Sequence, residues 1–310
     1  MNLGSAPGVV VLGGLNMDLV TYSDRFPGTG ETIAGDRFLT YAGGKGANQA
    51  VAAARMGARA SMVGRVGSDI FGPQLIDGLR SEGIDTSWVS VTPGESSGIA
   101  SICIDGTGQN RIIQVLGANS TCGAEQTGAA ASALLGADTL MLQLEVPMEV
   151  SLAAARDARS HGKTVILDPG PIRTMPPSLV AYSSIITPNE TEAEALVGFP
   201  VNSRDTAARA AEALLSRGAE CAVVKLGAQG AFYASPEASG FQPAFSVRAV
   251  DTVAAGDAFN GALAVTLAEG MALSDAVRVA CAAGALAVTT RGAQDSMPSR
   301  AAVDNLLASG

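Results

Sequence analysis

The sequence has few aromatic residues and fewer basic than acidic ones. Phe, Trp and Tyr make up only 4% of the 310 residues, whereas hydrophobic residues make up 47%. We therefore expect a large core of Ala, Val, Leu and Ile, whose small side chains suit close packing of helices on a sheet. Lys and Arg total 20 against 29 Asp and Glu, giving a net charge of −9 without a basic run, so no nucleic-acid partner is expected.

Histidine and cysteine are also scarce. The single histidine, His161, lies in the polar run Arg-Ser-His-Gly-Lys and is expected to be solvated at a helix end, which excludes a His-rich metal site. The four widely spaced cysteines match no zinc or redox motif and are expected to be reduced thiols. Because no signal-peptide pattern and no apolar run of membrane-spanning length is present, we predict a cytoplasmic protein without a membrane partner.

Two common phosphate-binding motifs are missing as well. The sequence contains neither G-x-x-x-x-G-K-[ST] nor a G-x-G-x-x-G between a strand and a helix with an acidic residue about 20 positions later. Any nucleotide site must therefore be built from other loops, from backbone N–H groups and from helix N-termini.

Short apolar runs alternate with helical patterns along most of the chain. The apolar runs predict strands over residues 9–13, 60–63, 139–142, 164–167, 184–186 and 222–224. The helical patterns cover residues 46–56, 74–82, 149–161, 190–197, 206–217, 257–269 and 274–289. This alternation predicts a single α/β domain over residues 1–310, with a central, mostly parallel sheet and helices on both faces.

Two segments, about 16–42 and 98–117, break the alternation. In the second, two apolar runs flank the turn Asp105-Gly-Thr-Gly, which predicts a hairpin. Apolar residues occur on both faces of this hairpin, and a small isolated sheet cannot leave both faces exposed to water. We expect the two segments to form a small sheet that protrudes as a lid, with one face over a ligand and the other against a second subunit.

The run Asp251-Thr-Val-Ala-Ala-Gly-Asp257 has the features of a phosphoryl-transfer loop. Small residues at 254–256 allow a ligand to approach the backbone, and a helix begins directly after them. Its free N–H groups suit an anion, and Asp257 can accept the proton of an attacking hydroxyl. We expect the helix end to lower the pKa of Asp257. The alternative is that Asp257 only caps the helix.

Polar residues suited to sugar hydroxyls follow two predicted strands. Asn16 and Asp18 come after the first strand, two residues apart, so their side chains point the same way in an extended chain. Lys45 and Asn48 follow the pair Gly43–Gly44 at the start of a helix. An Asx turn and an ordinary Gly-rich turn are the structural alternatives.

Three more segments lie at predicted strand ends. Glu145 ends the run Gln-Leu-Glu, and Asn189 and Glu192 precede a helix. Asn189 is placed to touch a phosphate and Glu192 to hold Mg²⁺ through water, although the same pair resembles a capping box. The segment Lys225–Gly230 either lines a nucleotide pocket or forms a plain hairpin turn.

The order and spacing of these features resemble the PfkB family of carbohydrate kinases, and within it the ribokinase branch. One family signature matches Gly43-Gly-Lys-Gly-Ala-Asn48 with Gly57 and Gly67, and the other matches residues 251–263. The resemblance extends from about residue 11 to residue 298. It implies a ribokinase-like fold and ATP-dependent phosphorylation of D-ribose at O5, giving D-ribose 5-phosphate and ADP. Kinases of deoxyribose, fructose or a nucleoside such as adenosine, and a non-catalytic sugar sensor, are the alternatives.

The resemblance also implies a role for each site residue. Asp257 would be the catalytic base, and the backbone amides of Ala254, Ala255, Gly256 and Asp257 would form the anion hole. The implied sugar ligands are Asn16, Asp18, Gly43, Gly44, Lys45, Asn48, Glu145 and Asp257. The implied ATP contacts are Asn189, Lys225, Leu226, Gly227, Ala228, Gln229, Gly230, Gly256 and Cys281.

The implied cofactors are ATP, Mg²⁺ and a monovalent cation, usually K⁺. Glu192 would hold Mg²⁺ through water. The implied K⁺ ligands, mostly carbonyls, are Asp251, Val253, Ala287, Thr290, Gly292 and Ser296. The family's lid commonly joins two subunits, so a homodimer through the lid is expected. One residue departs from the pattern, since Cys281 stands where ribokinases often carry His near the adenine.

Overall fold

In a computed structural model that describes residues 6–309, the chain forms a nine-stranded sheet, a separate four-stranded sheet and ten α-helices. The strands of the large sheet are β1 (Gly8–Leu12), β4 (Arg59–Gly67), β5 (Val89–Thr92), β8 (Thr139–Leu142), β9 (Thr164–Leu167), β10 (Ile185–Ile186), β11 (Cys221–Lys225), β12 (Gly230–Ala234) and β13 (Ser239–Pro243). The strands of the small sheet are β2 (Asn16–Tyr22), β3 (Arg37–Gly43), β6 (Gly98–Ile104) and β7 (Asn110–Val115).

The helices connect the strands of the large sheet and complete the C-terminal part of the chain. They are α1 (Lys45–Arg55), α2 (Phe71–Ser81), α3 (Ala124–Ala133), α4 (Met148–Ser160), α5 (Pro177–Ala181), α6 (Glu190–Val197), α7 (Arg204–Ser216), α8 (Ala255–Ala268), α9 (Leu273–Ala287) and α10 (Arg300–Ser309).

The large sheet has the order β13-β12-β11-β10-β9-β8-β1-β4-β5. The seven neighbouring strands β11, β10, β9, β8, β1, β4 and β5 pair in parallel. β12 and β13 add an antiparallel edge next to β11. The prediction of a mostly parallel sheet is confirmed. The antiparallel edge was not predicted, because Gly-Ala-Phe-Tyr-Ala and Ser-Gly-Phe-Gln-Pro lack a clear strand pattern.

Side chains of the central strands alternate between two buried cores. In β1, Val9 and Val11 join the core formed with α1, α8 and α9. Val10 and Leu12 join the opposite core, formed with α4 and α7. All four side chains are fully buried, as expected for a strand covered by helices on both faces. The helices therefore lie on both faces of the sheet, as predicted.

The predicted second sheet is present and has the order β3-β2-β6-β7. β2 and β6 are parallel, and each pairs with its hairpin partner in the antiparallel sense. The register places Phe38, Ile113 and Val115 on one face, where they are 60%, 71% and 46% exposed. The other face carries Asp18 and Gln114. The same register places Ile102 and Ile112 on this second face, where Ile112 is 55% exposed, so apolar side chains occur on both faces of the small sheet, as predicted.

Two expectations about scarce residues hold. His161 is exposed and follows the last residue of α4, and its imidazole lies near the carboxylate of Asp157. The four cysteines are free thiols. In the part of the chain from residue 6 to residue 309, none of the helices is both long and apolar enough to cross a membrane.

Candidate active site

Polar residues from distant parts of the chain meet at the carboxyl-terminal edge of the large sheet. Glu145 and Asp168 follow β8 and β9, and Lys225 is the last residue of β11. α1 and α8 begin at the same edge and carry Lys45 and Asp257 in their first turns. Ligands of open α/β sheets bind at this edge, so this cluster is the candidate active site.

Asp257 is held in a fixed orientation by two neighbouring amides of α1. Asn48 Nδ2 donates to Asp257 Oδ2 at 2.9 Å, and Gln49 Nε2 donates to Asp257 Oδ1 at 3.0 Å. Asp257 is only 4% exposed, and its carboxylate makes no hydrogen bond to the backbone at the helix start. The alternative role as a helix cap is therefore wrong.

The expectation that the helix end lowers the pKa of Asp257 is also wrong. Burial raises the pKa of this carboxyl, since a buried charge loses its hydration. Lys45 and the two amides act in the opposite direction, and the negative charge of Asp168 adds to the effect of burial. Because a higher pKa makes a stronger base, Asp257 is better suited to accept a proton than its position at a helix end suggests.

The loop before Asp257 has an unusual backbone. Ala254 adopts a left-handed conformation with φ of 59°, and its carbonyl accepts the N–H groups of Asp257 and Ala258 at 3.0 and 2.9 Å. The backbone N–H of Asp257 is thus already bonded within the loop, which removes it from the predicted anion hole. The remaining groups of the predicted anion hole are the backbone N–H groups of Ala254, Ala255 and Gly256, at the positive end of α8.

Lys45 connects the first turn of α1 to three carboxylates. Its backbone N–H donates to Glu145 Oε2 at 2.7 Å. Its side-chain Nζ lies 3.0 Å from Asp168 Oδ2 and 4.0 Å from Asp257 Oδ1. Burial opposes the charged form of Lys45, but the surrounding carboxylates outweigh it and raise the pKa. Gly44 makes this helix start possible, because its φ is 91° and a Cβ there would lie 2.6 Å from a backbone oxygen of Gly14.

Glu145 is buried and accepts hydrogen bonds from several directions. Besides Lys45, Asn16 Nδ2 donates to Glu145 Oε1 at 3.2 Å and Gln114 Nε2 donates to the same oxygen at 2.7 Å. The other end of the Asn16 amide, Oδ1, accepts from Asn119 Nδ2 at 2.8 Å. Both ends of Asn16 are engaged within the protein, so in this structure it orients Glu145, and its contact with a sugar stays a prediction.

Asp18 lies on the inner face of the small sheet, two residue pairs along from Asn16 and Gly43. Burial, followed by the charges of Glu145 and Asp257, raises the pKa of Asp18 to about 7. A cavity of about 310 Å³ extends from Asp18 along this face. The cavity is lined on one side by Tyr22, Tyr41 and aliphatic residues of the small sheet, and on the other by residues 249–253 and 291–293.

Asp168 is a site residue that the sequence analysis missed. It is 1% exposed, and besides Lys45 it accepts from Gln49 Nε2 at 3.0 Å and lies 3.7 Å from Lys225 Nζ. Burial opposes its ionisation, but Lys225 and Lys45 outweigh burial and hold its pKa below the usual value. Its position directly after a predicted strand, like that of Glu145, was the signal that could have identified it.

The predicted phosphate and nucleotide segments lie beside this cluster. Asn189 and Glu192 form a complete capping box at the start of α6, with Glu192 N donating to Asn189 Oδ1 at 2.8 Å and Asn189 N donating to Glu192 Oε2 at 2.9 Å. Burial, followed by the charge of Asp168, raises the pKa of Glu192. Residues 227–229 form a short 3₁₀ turn between β11 and β12, which agrees with the hairpin-turn alternative. Lys225 packs close to Gly256 and so connects this segment to the loop before α8.

The predicted adenine and cation residues lie around the same helices. Cys281 is buried in α9, which packs on α8, and burial raises the pKa of its thiol to about 12. Asp251 Oδ2 accepts from Gly292 N at 3.1 Å, so two of the predicted cation loops lie side by side. Among residues 6–309, no group of three or more His, Cys, Asp or Glu is arranged to hold a metal ion.

The cluster has more acidic than basic groups. Its carboxylates are Asp18, Glu145, Asp168, Glu192 and Asp257, and its cations are Lys45 and Lys225. This surplus of negative charge is one reason why the pKa values of Asp18 and Glu192 are raised. A bound cation would relieve it.

A Gly-rich start of α1, a buried carboxylate at the start of α8 and a small sheet beside the strand ends define an α/β carbohydrate kinase. Residues 6–300 match the model of the pfkB family carbohydrate kinases, and the chain belongs to this family.

The chain is similar to curated and solved members of the family along nearly its whole length. It is 38% identical to the ribokinase of Haemophilus influenzae over 292 residues, which cover 94% of this chain and 95% of that protein. It is also 38% identical to the deoxyribokinase of Salmonella typhi, with the same coverage of 94% of this chain and 95% of that protein. The structure of Arabidopsis thaliana ribokinase complexed with ribose and ATP superposes with a TM-score of 0.90 at 33% identity, covering 97% of this chain and 99% of that one.

Proposed function

We propose that this chain transfers the γ-phosphoryl group of ATP to O5 of D-ribose, giving D-ribose 5-phosphate and ADP. The observation that carries this proposal is the position of Asp257, a buried carboxylate held by Asn48 and Gln49 directly beside the start of α8. The similarity to ribokinases, one of them solved with ribose and ATP, supports the choice of both substrates.

The sugar binds between the inner face of the small sheet and the start of α1. Asp18, Lys45 and Glu145 supply charged groups for its hydroxyls, while the backbone at Gly43 and Gly44 allows the ring to approach closely. Asn48 fixes Asp257 through its Nδ2, and its buried Oδ1 has no hydrogen-bond partner. Several polar groups fixed by their own hydrogen bonds give the orientation that phosphoryl transfer requires.

In the transfer step, Asp257 accepts the proton of the sugar O5–H. A bond forms between O5 and the γ-phosphorus, and the bond from that phosphorus to the β,γ-bridging oxygen breaks, which leaves ADP. The backbone N–H groups of residues 254–256 and the positive end of α8 stabilise the negative charge on the transferred group. The cations of Lys45 and Lys225 lie beside them.

We include Mg²⁺ and K⁺ in this proposal. The excess of carboxylates, and the absence of any hydrogen bond to the buried Asp168 Oδ1, fit a cation near the nucleotide phosphates, with Glu192 holding Mg²⁺ through water. Mg²⁺ neutralises phosphate charge when bound. For K⁺, the adjacent loops carrying Asp251, Val253 and residues 287–296 supply the carboxylate and carbonyl oxygens that such an ion prefers.

The small sheet is proposed to act as the lid and as the interface of a homodimer. Its inner face carries Asp18 and lines the cavity, and its outer face exposes Phe38, Ile113 and Val115. An exposed apolar face of this kind favours association with a second copy. Four free thiols and the use of ATP favour a cytoplasmic location.

Deoxyribose is the second candidate substrate, because the identity to a deoxyribokinase equals that to a ribokinase. The deciding experiment measures ADP release with ribose, deoxyribose, fructose and adenosine. We expect the highest kcat/KM with ribose. A higher kcat/KM with any other acceptor would overturn the choice of ribose, and no ADP release with all four would overturn the kinase proposal itself.

A further inference from the structure

One neutral side chain, that of Gln49, lies between two buried carboxylates of the site. Gln49 is 1% exposed, and its Nε2 lies 3.0 Å from Asp257 Oδ1 and 3.0 Å from Asp168 Oδ2. An amide nitrogen carries two hydrogens, so each carboxylate receives one of them. Asp257 and Asp168 are 89 residues apart in the sequence, yet a single amide group joins them.

A second glutamine fixes the orientation of this amide. Gln143 Nε2 donates to Gln49 Oε1 at 2.5 Å, so the oxygen of Gln49 is engaged on the side away from the carboxylates. Ionised carboxylates only accept hydrogen bonds, and they therefore require the nitrogen of Gln49 on their side. Gln143 is fully buried at the end of β8, and the absence of a side chain at Gly13 leaves room for it, because a Cβ there would lie 1.9 Å from Gln143 Oε1.

Two carboxylates that accept from the same amide nitrogen lie near enough for the charge of one to affect the ionisation of the other. Like charges in a buried site oppose each other's ionisation, and one member of such a pair commonly retains a proton. A base that already holds a proton cannot take one from the sugar. The two hydrogens of Gln49 satisfy both carboxylates without that proton, while Lys45 and Lys225 supply the positive charge.

We infer that Gln49 is a positioning residue that keeps Asp257 and Asp168 both ionised by donating one hydrogen bond to each, and that Gln143 sets the direction of its amide. This inference rests on the proposed function, since it concerns the base of that reaction. It assigns a chemical reason to a glutamine in α1 whose side chain is buried away from solvent.

The test replaces Gln49 by methionine, which has a similar length and no hydrogen-bond donor. The pKa values of Asp257 and Asp168 are measured directly by ¹³C NMR of the side-chain carboxyls, with signals assigned from the Asp257→Asn protein. We expect one of the two carboxyls to titrate at least about one unit higher in Gln49→Met. The acid limb of kcat against pH should move up with it, so that most of the lost activity returns at alkaline pH.

Two further variants complete the test. Gln143→Met leaves Gln49 in place but frees its amide to rotate, and we expect a smaller shift in the same direction, which keeps the inference testable if Gln49→Met does not fold. Gln126→Met is the matched control, because Gln126 is also fully buried but its bonds, to Gly123 N and Ser90 Oγ among others, involve neither Asp257 nor Asp168. It should lower the melting temperature without moving either titration.

The inference is overturned if the carboxyl pKa values in Gln49→Met equal those of the wild type, or if kcat falls by the same factor at every pH. The NMR titration needs no turnover. A chain that proves inactive on every sugar therefore refutes the proposed function without deciding the role of Gln49.

Discussion

Lys45 Nζ lies 3.0 Å from Asp168 Oδ2, an ion pair that joins the first residue of α1 to the carboxyl end of β9. The Asp168 side chain is 1% exposed and that of Lys45 is 27% exposed, so the pair is screened little by water. Lys45 is at the same time the nearest cation to Asp257. The pair is therefore important for both the stability of the fold and the charge of the proposed base.

Replacing Lys45 by methionine should lower the free energy of unfolding by about 3 kcal/mol at pH 8, because buried carboxylates lose their partner. The loss should be smaller at pH 5, since the carboxylates, whose pKa values rise without Lys45, then take up protons and no longer carry a buried charge. Urea denaturation at the two pH values measures this difference. A cost that is equal at both would mean that the ion pair contributes nothing beyond packing.

Asp257→Asn should fold normally and bind ribose, but its kcat should fall by about a thousandfold or more, because an amide cannot accept the O5 proton. For the wild type, kcat should decrease as the pH falls through the raised pKa of Asp257, above the ordinary aspartate value of 3.8. Coupled ADP release gives kcat, and calorimetry gives ribose binding. A variant with near-normal turnover would exclude Asp257 as the base.

Asp18→Asn should stabilise the folded protein but weaken its activity on the sugar. The pKa of Asp18 is raised to about 7, so its charge destabilises the folded state increasingly as the pH rises from the unfolded value of 3.8 to above 7. Removing the charge should raise the free energy of unfolding by about 1–3 kcal/mol at pH 8 and by little at pH 4. The same change should raise the KM for the sugar. Thermal melts at both pH values, with sugar kinetics at pH 8, check the two effects.

Replacing Na⁺ by K⁺ should increase the rate of the wild-type protein, if the loops at residues 251–253 and 287–296 hold the proposed ion. Asp251→Ala should abolish this difference, since Asp251 joins the two loops through Gly292. Asp275→Ala, at an exposed position in α9, is the control and should retain it. Identical rates in K⁺ and Na⁺ for the wild type would refute the proposed cation site.

Ile113→Lys should convert the proposed dimer to a monomer, because it places a charge on the exposed apolar face of the small sheet. The matched control is Ile70→Lys, where the side chain is 72% exposed against 71% for Ile113 but lies at the start of α2. Light scattering or analytical ultracentrifugation measures the mass of each protein. A wild-type monomer, or a dimer that persists in Ile113→Lys, would exclude this face as the interface.

The sequence identified the buried strands well because their signal is local. Runs such as Thr139–Leu142 and Thr164–Leu167 are continuous apolar segments of strand length, and the structure forms strands over those same residues. The hairpin around Asp105-Gly-Thr-Gly was recognised for the same reason. The edge strands β12 and β13 contain Gly, Ser and Pro at positions where a strand pattern is usually apolar, and they depend on pairing with β11 rather than on propensity.

The electrostatics of the site could not be predicted in this way. Asp257 is buried because α1 packs on α8, and its partner Asn48 lies 209 positions away in the sequence. Only that packing shows that burial raises the pKa of Asp257, against the lowering expected from the helix N-terminus. Gln49 was not singled out, since nothing near it in sequence indicates that its amide lies between two carboxylates.

The residues of the site come from almost every part of the chain, from Asp18 in β2 to Gly292 after α9. None of the hydrogen bonds that fix Asp257 is made within α8 itself. A fragment that retains one signature motif therefore retains no catalytic geometry. Turnover is accordingly a readout of complete folding, and its recovery during refolding would report the last long-range contacts to form.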